Sequence, residues 1–157
     1  MLNFNWKERY YTAHAQHVNS RTPSIIKDGF YTLPTMPKIK TANGLTKFIC
    51  NYLNWTNSNA TRISSAGRWI EQKNAQGHKI EGSGRFIPGT TRKGTADITA
   101  TVQGRSCKFE IKVGNDKPSE YQLREQQRER AAGGIYEFIS TPEQFFLLYD
   151  KIINNEI

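Results

Sequence analysis

The spacing of apolar residues changes along the chain, and each spacing predicts a different element. Between residues 41 and 53 apolar side chains recur every three or four positions, as in an amphipathic helix. From 94 to 102 and from 106 to 114 apolar and polar residues alternate, which predicts two strands. The helical positions are Leu45, Phe48, Ile49, Tyr52 and Leu53.

Shorter segments surround these elements. Short strands are predicted within residues 60–70 and 78–87, on either side of a polar loop. A helix is predicted from Ser119 to Ala132, with Gln122 placed three residues after Ser119 to complete a capping box. The helical and strand patterns together indicate an α/β protein.

The end of the chain adds one strand and one helix. A glycine pair at 133–134 closes the preceding helix, and residues 135–139 predict a short strand. Pro142 suits the first position of a final helix that runs to Ile153. The predicted order is α-β-β-β-α-β-α, with one more strand expected at the start.

Residues 1–40 differ from the rest of the chain. They hold three of the six prolines and an aromatic, basic opening, which predicts a short helix over residues 4–17 and extended chain over 23–40. Two interpretations stay open here, an N-terminal arm or a segment that packs on the side of the domain. We take residues 1–40 as an arm and 41–157 as the main domain.

The charge is unevenly distributed. The chain of 157 residues has 22 Lys and Arg against 14 Asp and Glu, a net charge of +8. Residues 131–157 alone are acidic, with one basic side chain against four acidic ones. A basic body favours a polyanionic partner, nucleic acid above all. No run approaches the roughly 20 apolar residues of a membrane-spanning helix, so we expect no membrane partner.

Cysteine and histidine usage narrows the candidate chemistry. Two cysteines, Cys50 and Cys107, exclude a disulfide framework and a four-cysteine zinc site. His14, His17 and His78 lack the spacing of metal ligands and are interpreted as surface or loop residues. The opening residues lack the apolar core of a signal peptide, and a reduced, cytoplasmic setting is expected.

The predicted hairpin brings acidic residues together. A tight turn at Gln103-Gly104 pairs residues whose numbers sum to 207, because any one-residue slip would mix apolar and polar faces. This register sets Asp97 opposite Glu110, with Lys112 on the same face. Two facing carboxylates repel each other, and a hard divalent cation such as Mg²⁺ or Mn²⁺ would relieve the repulsion.

A second interpretation of these residues stays open. Glu110 and Lys112 would also fit a solvated strand face, since an E-x-K pattern is common. Asp97 in register and the basic loop 90–94, which would hold a phosphate backbone, favour the metal site. Five aromatic residues near the end of the chain are interpreted as packing and not as base-stacking surfaces: Tyr121, Tyr136, Phe138, Phe145 and Phe146.

Residues 89–146 resemble the PD-(D/E)XK nuclease superfamily, and within it the VRR-NUC group of stand-alone phage and mobile-element enzymes. The shared pattern is an aspartate after a glycine, a hairpin, an E-x-K strand, a Ser/Gln helix start and a glycine pair before a strand. The resemblance implies a restriction-endonuclease-like core, α-β-β-β-α-β, with a mixed central sheet flanked by helices. It also implies a metal-dependent DNA endonuclease that works with Mg²⁺ or Mn²⁺.

The resemblance also implies roles for individual residues. Asp97, Glu110 and the Ile111 carbonyl would bind the metal, Lys112 would position or activate the attacking water, and Gln122 would lie near the site. The catalytic candidates are therefore Asp97, Glu110, Lys112 and Gln122. The basic side chains proposed to contact DNA are Arg85, Arg92, Lys93 and Lys117.

One departure from the family pattern leaves an alternative function. Family members often supply a further acid from the first helix, but residues 41–55 hold no Asp or Glu. Asn43, Glu71, Glu81 or a water would fill that place. The expected function is a DNA endonuclease, selective for branched or junction DNA and acting as a homodimer. The alternative is a non-catalytic DNA-binding protein on a decayed nuclease fold.

Overall fold

A computed structural model describes residues 5–64, 67–89 and 91–157. Within them the chain forms five helices and six strands. None of these helices is long and apolar enough to cross a membrane. In chain order the elements are α1 Trp6–Arg21, α2 Pro23–Lys27, α3 Ala42–Trp55, β1 Asn59–Arg62, β2 Arg68–Ile70, β3 Arg85–Ile87, β4 Ile98–Val102, β5 Arg105–Ile111, α4 Glu120–Ala131, β6 Ile135–Ile139 and α5 Pro142–Ile153.

The central sheet has four strands in the order β1-β4-β5-β6. The first two pairings are antiparallel, and β6 joins β5 in parallel after the crossover through α4. The expected mixed α/β class with a mixed central sheet is confirmed. Strands β2 and β3 pair only with each other among the described strands, and we call this pair the β2–β3 ribbon.

The hairpin of β4 and β5 has the predicted register. Ile98 pairs with Phe109 and Val102 with Arg105. Gln103 and Gly104 have φ angles of +48° and +79°, which is the conformation a two-residue type I′ turn requires. Both strands are shorter than predicted, so Asp97 directly precedes β4 instead of lying within it.

The hydrophobic core lies on one face of the sheet. The apolar side chains of β4 and β5, Ile98 and Phe109 among them, are fully buried beneath α3 and α5. Aromatic rings fill much of this layer, and Phe145 meets Phe109 edge to face at 5.9 Å between centroids. The opposite face carries the polar side chains of β5 and is covered by α4, in which no residue is buried.

The N-terminal helix packs against this core. Tyr10 is fully buried and stacks on Phe48 of α3, with 4.4 Å between ring centroids. Arg9 forms an ion pair of 2.5 Å with Asp150 of α5. For α1, the structure thus matches the interpretation in which the segment lies on the side of the domain.

Two segments differ from the sequence predictions. The extended chain predicted from Pro23 is wrong at its start, because Pro23 begins α2; a proline at the first helical position has no N–H to leave unpaired. The strand predicted within 60–70 is divided between β1 and β2. The one predicted within 78–87 is limited to β3, since turns occupy residues 81 and 82.

Candidate functional site

Asp97, just before β4, is held by hydrogen bonds from both sides, from the end of β1 and from β5. Its backbone carbonyl accepts a hydrogen bond of 2.7 Å from the N–H of Ile63, just after β1. Its carboxylate Oδ2 accepts one of 3.0 Å from the N–H of Ile111 at the end of β5. The regular pairing of β4 with β5 ends at Ile98, and the Asp97 side chain adds one further hydrogen bond to β5 beyond it.

Glu110 is a buried carboxylate with one oxygen unpaired. It lies on the α4 side of β5 and is 5% exposed. Oε1 accepts a 2.5 Å hydrogen bond from Nε2 of Gln122 and lies 3.4 Å from Nζ of Lys112. Oε2 is buried and has no hydrogen-bond partner among the described residues. A buried carboxylate oxygen without a partner is costly, and a bound cation or water would offset that cost.

The pKa of Glu110 reflects its burial and the charges beside it. Burial raises the pKa of Glu110 to about 7, and the negative charge of Asp97 adds to the rise, while Lys112 opposes it. A cation bound between the two carboxylates would favour their charged forms. The interpretation of Glu110 as part of a solvated strand face is wrong, because α4 and its own strand bury it.

Lys112 is equally buried, at 8% exposed. Its backbone N–H donates to the carbonyl of Ile139, which holds it in line with β5 and β6. Its ammonium lies between Glu110 and Asp116, with 3.1 Å from Nζ to Oδ2 of Asp116. Lys112 is therefore held between two carboxylates of neighbouring segments.

Gln122 has both of its expected roles at once. Its Oε1 accepts from the N–H of Ser119 and its own N–H donates to Oγ of Ser119, which completes the predicted capping box. Its Nε2 donates to Glu110. The start of α4 therefore fixes the orientation of the Glu110 carboxylate.

A basic loop closes one side of the site. Gly94 has a φ of +85° and lies so close to the Tyr121 backbone that a Cβ at this position would clash with it. Its carbonyl accepts a 3.0 Å hydrogen bond from the hydroxyl of the buried Tyr136. Burial raises the pKa of Tyr136 above its ordinary value, and the charges of Glu110 and Asp97 add to the effect, so this hydroxyl stays a donor.

These parts enclose a cleft of about 350 Å³ between the loop, the end of β5 and the start of α4. Asp97, Glu110 and Gln122 line it, as does Thr91, whose Oγ1 is buried without a partner. Among the described residues, the unpartnered buried side-chain atoms are this hydroxyl and Glu110 Oε2. Both therefore belong to the lining of one cleft, which is an arrangement suited to a polar ligand.

The proposed metal ligands fit a hard cation. Asp97 and Glu110 supply carboxylate oxygens. In an extended strand the N–H and C=O of one residue point to the same side, so the Ile111 carbonyl faces the Asp97 side, as its N–H does. No group of three or more His, Cys, Asp or Glu side chains forms within the described residues. A metal here would complete its shell with water.

The residues suggested as substitutes for the missing helix acid lie elsewhere. Asn43 accepts a 2.6 Å hydrogen bond from Arg62. Glu71 is paired with Lys79 in the segment that joins β2 to β3. Glu81 is exposed in the turn before β3. None of the three lines the cleft of Asp97 and Glu110.

The four basic candidates for DNA contact are not all at the cleft. Arg92 and Lys93 lie on its rim, where Arg92 is 3.4 Å from Glu125 of α4 and Lys93 lies 5.0 Å over the ring of Tyr121. Arg85 is exposed in β3, and Lys117 is exposed in the loop before α4.

Three residues of the site are not predicted by the sequence analysis. Asp116 pairs with Lys112 and follows Gly114, whose turn is the sequence feature that could have indicated it. Tyr136 packs as the sequence predicts, and its hydroxyl also fixes the basic loop. The prediction that Tyr121 packs in the core is wrong, because this residue is 50% exposed at the cleft.

No protein-family model matches the chain, and no curated protein matches it.

Proposed function

We propose that this protein is a metal-dependent nuclease that hydrolyses phosphodiester bonds in DNA at the cleft of Asp97 and Glu110. The observation that carries the proposal is the unpaired, buried Oε2 of Glu110, beside the charge of Asp97 and within reach of a buried lysine. A divalent cation would pair with this oxygen, and Mg²⁺ or Mn²⁺ suits the carboxylate ligands of the site.

The order of elements supports a restriction-endonuclease-like core as part of this proposal. With the β2–β3 ribbon set aside as an insertion, the order from α3 to β6 is α-β-β-β-α-β. The site lies where β4 begins and β5 ends, at one end of the sheet. The resemblance implies the same order and the same location.

We assign a role to each residue from the resemblance and from its contacts, although Lys112 lies behind Glu110 and outside the cleft lining. When bound, the metal would stabilise negative charge on the scissile phosphate. The Lys112 ammonium would donate a hydrogen bond to the attacking water or the phosphate, and Gln122 holds Glu110 in place for its ligand. Arg92 and Lys93 would hold the sugar-phosphate backbone at the rim. Hydrolysis breaks the bond from phosphorus to the 3′ oxygen and leaves a 5′-phosphate.

The test compares two Lys/Glu pairs on the α4 side of the sheet. Glu110→Gln and Lys112→Ala each lower Mg²⁺-dependent plasmid cleavage on the order of a thousandfold, because transition-state stabilisation here is electrostatic. The matched controls are Lys108→Ala and Glu129→Gln, since these residues form a 2.6 Å ion pair under α4 outside the cleft lining. Both controls retain cleavage within a fewfold.

Metal binding is measured separately by calorimetry with Mn²⁺. The parent and Glu129→Gln bind the ion, and Glu110→Gln loses binding. Equal cleavage by the parent and Glu110→Gln rejects the site assignment. The resemblance adds two further proposals, a preference for branched DNA and a homodimer. Equal gel-shift affinity for a four-way junction and a linear duplex contradicts the preference for branched DNA.

A non-catalytic DNA-binding protein is the second candidate. The observation that favours it is the first helix of the core, where α3 holds no Asp or Glu and Asn43 is engaged by Arg62. DNA binding that needs no divalent metal, without cleavage in Mg²⁺ or Mn²⁺, decides for this candidate.

A further inference from the structure

The β2–β3 ribbon exposes two large aromatic rings opposite each other. Trp69 and Phe86 are cross-strand partners, and they are 62% and 59% exposed. Isolated exposed apolar residues are common on protein surfaces, but a facing pair of aromatic side chains on a three-residue ribbon is a concentrated apolar feature.

Each ring lies against the glycine that directly precedes the opposite strand. A Cβ at Gly84 would fall 2.5 Å from Cζ2 of Trp69, and a Cβ at Gly67 would clash with the ring of Phe86. The two rings therefore lie flat along the ribbon, one on each diagonal, as aromatic side chains do when they cover glycines in sheets. Covering a glycine uses only one side of each ring, and the exposed fractions show that the other side faces solvent.

The chain segment that contains the ribbon is basic. Residues 59–93 hold seven Lys and Arg against two Asp and Glu. One of the two acids, Glu71, forms a side-chain hydrogen bond with Trp69, and its charge is paired with Lys79 at 2.5 Å. Arg85 is exposed next to Phe86 in β3. This charge complements a polyanion and disfavours a basic or neutral partner.

The ribbon leaves and rejoins the sheet beside the cleft. Ile63, which precedes it, donates its N–H to the Asp97 carbonyl, and Gly89, which follows it, lines the cleft. Short stretches of chain thus join each end of the ribbon to residues of the site.

We propose that the β2–β3 ribbon binds single-stranded DNA by stacking unpaired bases on Trp69 and Phe86, with Arg85 at the phosphates. Bases in a duplex have their faces covered by their neighbours, whereas unpaired bases offer both faces to an aromatic ring. This inference names a substrate feature, unpaired bases, for the proposed nuclease, but the binding itself requires neither metal nor cleavage.

The experiment measures fluorescence anisotropy of a fluorescein-labelled 15-mer of deoxythymidine with the full chain in EDTA. Trp69→Ala/Phe86→Ala raises Kd by about fivefold to a hundredfold, the range for losing a stacked base. Trp69→Leu/Phe86→Leu, which still covers the glycines, shows the same loss, and Trp69→Tyr/Phe86→Tyr restores affinity. The matched control is Leu147→Ala on α5, where a residue of equal exposure, 63%, is removed; its Kd equals that of the parent.

Two further measurements separate the contribution of base stacking to affinity from that of charge. A 15-mer of abasic sites binds the parent as weakly as the deoxythymidine 15-mer binds the alanine variant, since only the bases are missing. Arg85→Gln lowers the slope of log K against log salt by about 0.7, whereas the aromatic variants leave it unchanged.

Several outcomes overturn the proposal. Unchanged affinity in the leucine variant excludes stacking. A shift from dimer to monomer in the alanine variant, with its DNA affinity intact, assigns the ribbon to self-association instead. The same series in the Glu110→Gln background separates this proposal from the nuclease, because loss of cleavage there leaves single-strand binding unchanged.

Discussion

Glu110 shows at the scale of one residue how burial creates a site. Its carboxylate is placed under α4 by the alternation of β5, and its Oε1 is held by Gln122 and Lys112. Its Oε2 is left without a partner among the described residues. The result is a pKa raised to about 7, because burial and the charge of Asp97 both favour the neutral acid.

This raised pKa makes the stability of the metal-free protein depend on pH. The ordinary pKa of Glu is 4.5 and the folded value is about 7. The folded state therefore binds the proton more tightly than the unfolded state. The stabilisation from Glu110 is fully present below pH 4.5 and is lost as pH rises to 7, by an amount of up to about 3 kcal/mol.

Urea unfolding in EDTA at pH 5.5 and pH 8 measures this effect. We expect Glu110→Gln to be more stable than the parent at pH 8 and to lose most of the pH dependence between these values. Glu129→Gln serves as the control, because its carboxylate is paired with Lys108 and its pKa is lowered. A parent that gains stability from pH 5.5 to 8 through Glu110 contradicts the raised pKa.

At this scale the sequence predicts the polar face of the hairpin but not its surroundings. Alternation alone places Glu110 and Lys112 on one face, and the register brings Asp97 to them. Asp116 and the hydroxyl of Tyr136 reach the site through a loop and through a parallel strand pairing. Neither contact follows from the alternation of a strand or the periodicity of a helix, so the residue spacing in the sequence does not predict it.

Helix α4 is bound to the sheet by polar contacts. Three side chains at helical spacing face β5 and β6: Gln122 donates to Glu110, Gln126 donates to the Tyr136 carbonyl, and Glu129 pairs with Lys108. No residue of the helix is buried. This helix was predicted from its capping residues and its glycine pair, since it has no apolar stripe to predict it.

Two helices whose N-cap hydroxyl accepts from the backbone N–H of a glutamine allow the role of this element to be tested. Ser119 caps α4 through Gln122, and Thr141 caps α5 through Gln144. Only Gln122 also bonds a proposed metal ligand. Either Ser119→Ala or Thr141→Ala lowers the free energy of unfolding by about 1 kcal/mol, the usual cost of losing such a cap.

The two variants differ in function. Ser119→Ala weakens Mn²⁺ binding severalfold in calorimetry, because the backbone N–H of Gln122 loses its acceptor, Ser119 Oγ, and the first turn that positions the Gln122 side chain loosens. Thr141→Ala keeps the affinity of the parent. If both variants bind Mn²⁺ equally well, the cap of α4 has no part in orienting Glu110.

Element bounds were predicted best where end signals and periodicity agree. β6 and α5 lie where the sequence places them, since a glycine pair precedes one and Pro142 begins the other. The ribbon was predicted poorly, because three-residue strands are too short for alternation to be measured.

At the scale of the whole molecule, α1 belongs to the core. Tyr10 has no exposed surface, and its ring contacts Phe48, Tyr11 and Trp55. Its hydroxyl accepts a 3.1 Å hydrogen bond from Asn51. The sequence left this packing open because the apolar residues of α1 are interrupted by charged ones and its helical pattern is weak.

Tyr10→Ala measures how much α1 contributes. We expect it to lower the free energy of unfolding by about 3–5 kcal/mol, the range for removing a buried aromatic ring. Tyr10→Phe costs about 1 kcal/mol, because it leaves the Asn51 amide without its acceptor. A cost below 1 kcal/mol for Tyr10→Ala in urea unfolding means that α1 does not pack on α3 in solution.

The two faces of the central sheet are held by forces that respond oppositely to the medium. Aromatic packing on the core face strengthens in sulfate, whereas the ionic contacts of α4, such as Lys108 with Glu129, weaken as any electrolyte is added. Concentrated ammonium sulfate would therefore leave the aromatic circular dichroism intact while the amide protons of α4 exchange faster. The core would stay native, and the end of α4 near Glu129 would loosen before its start, where Gln122 still bonds Glu110.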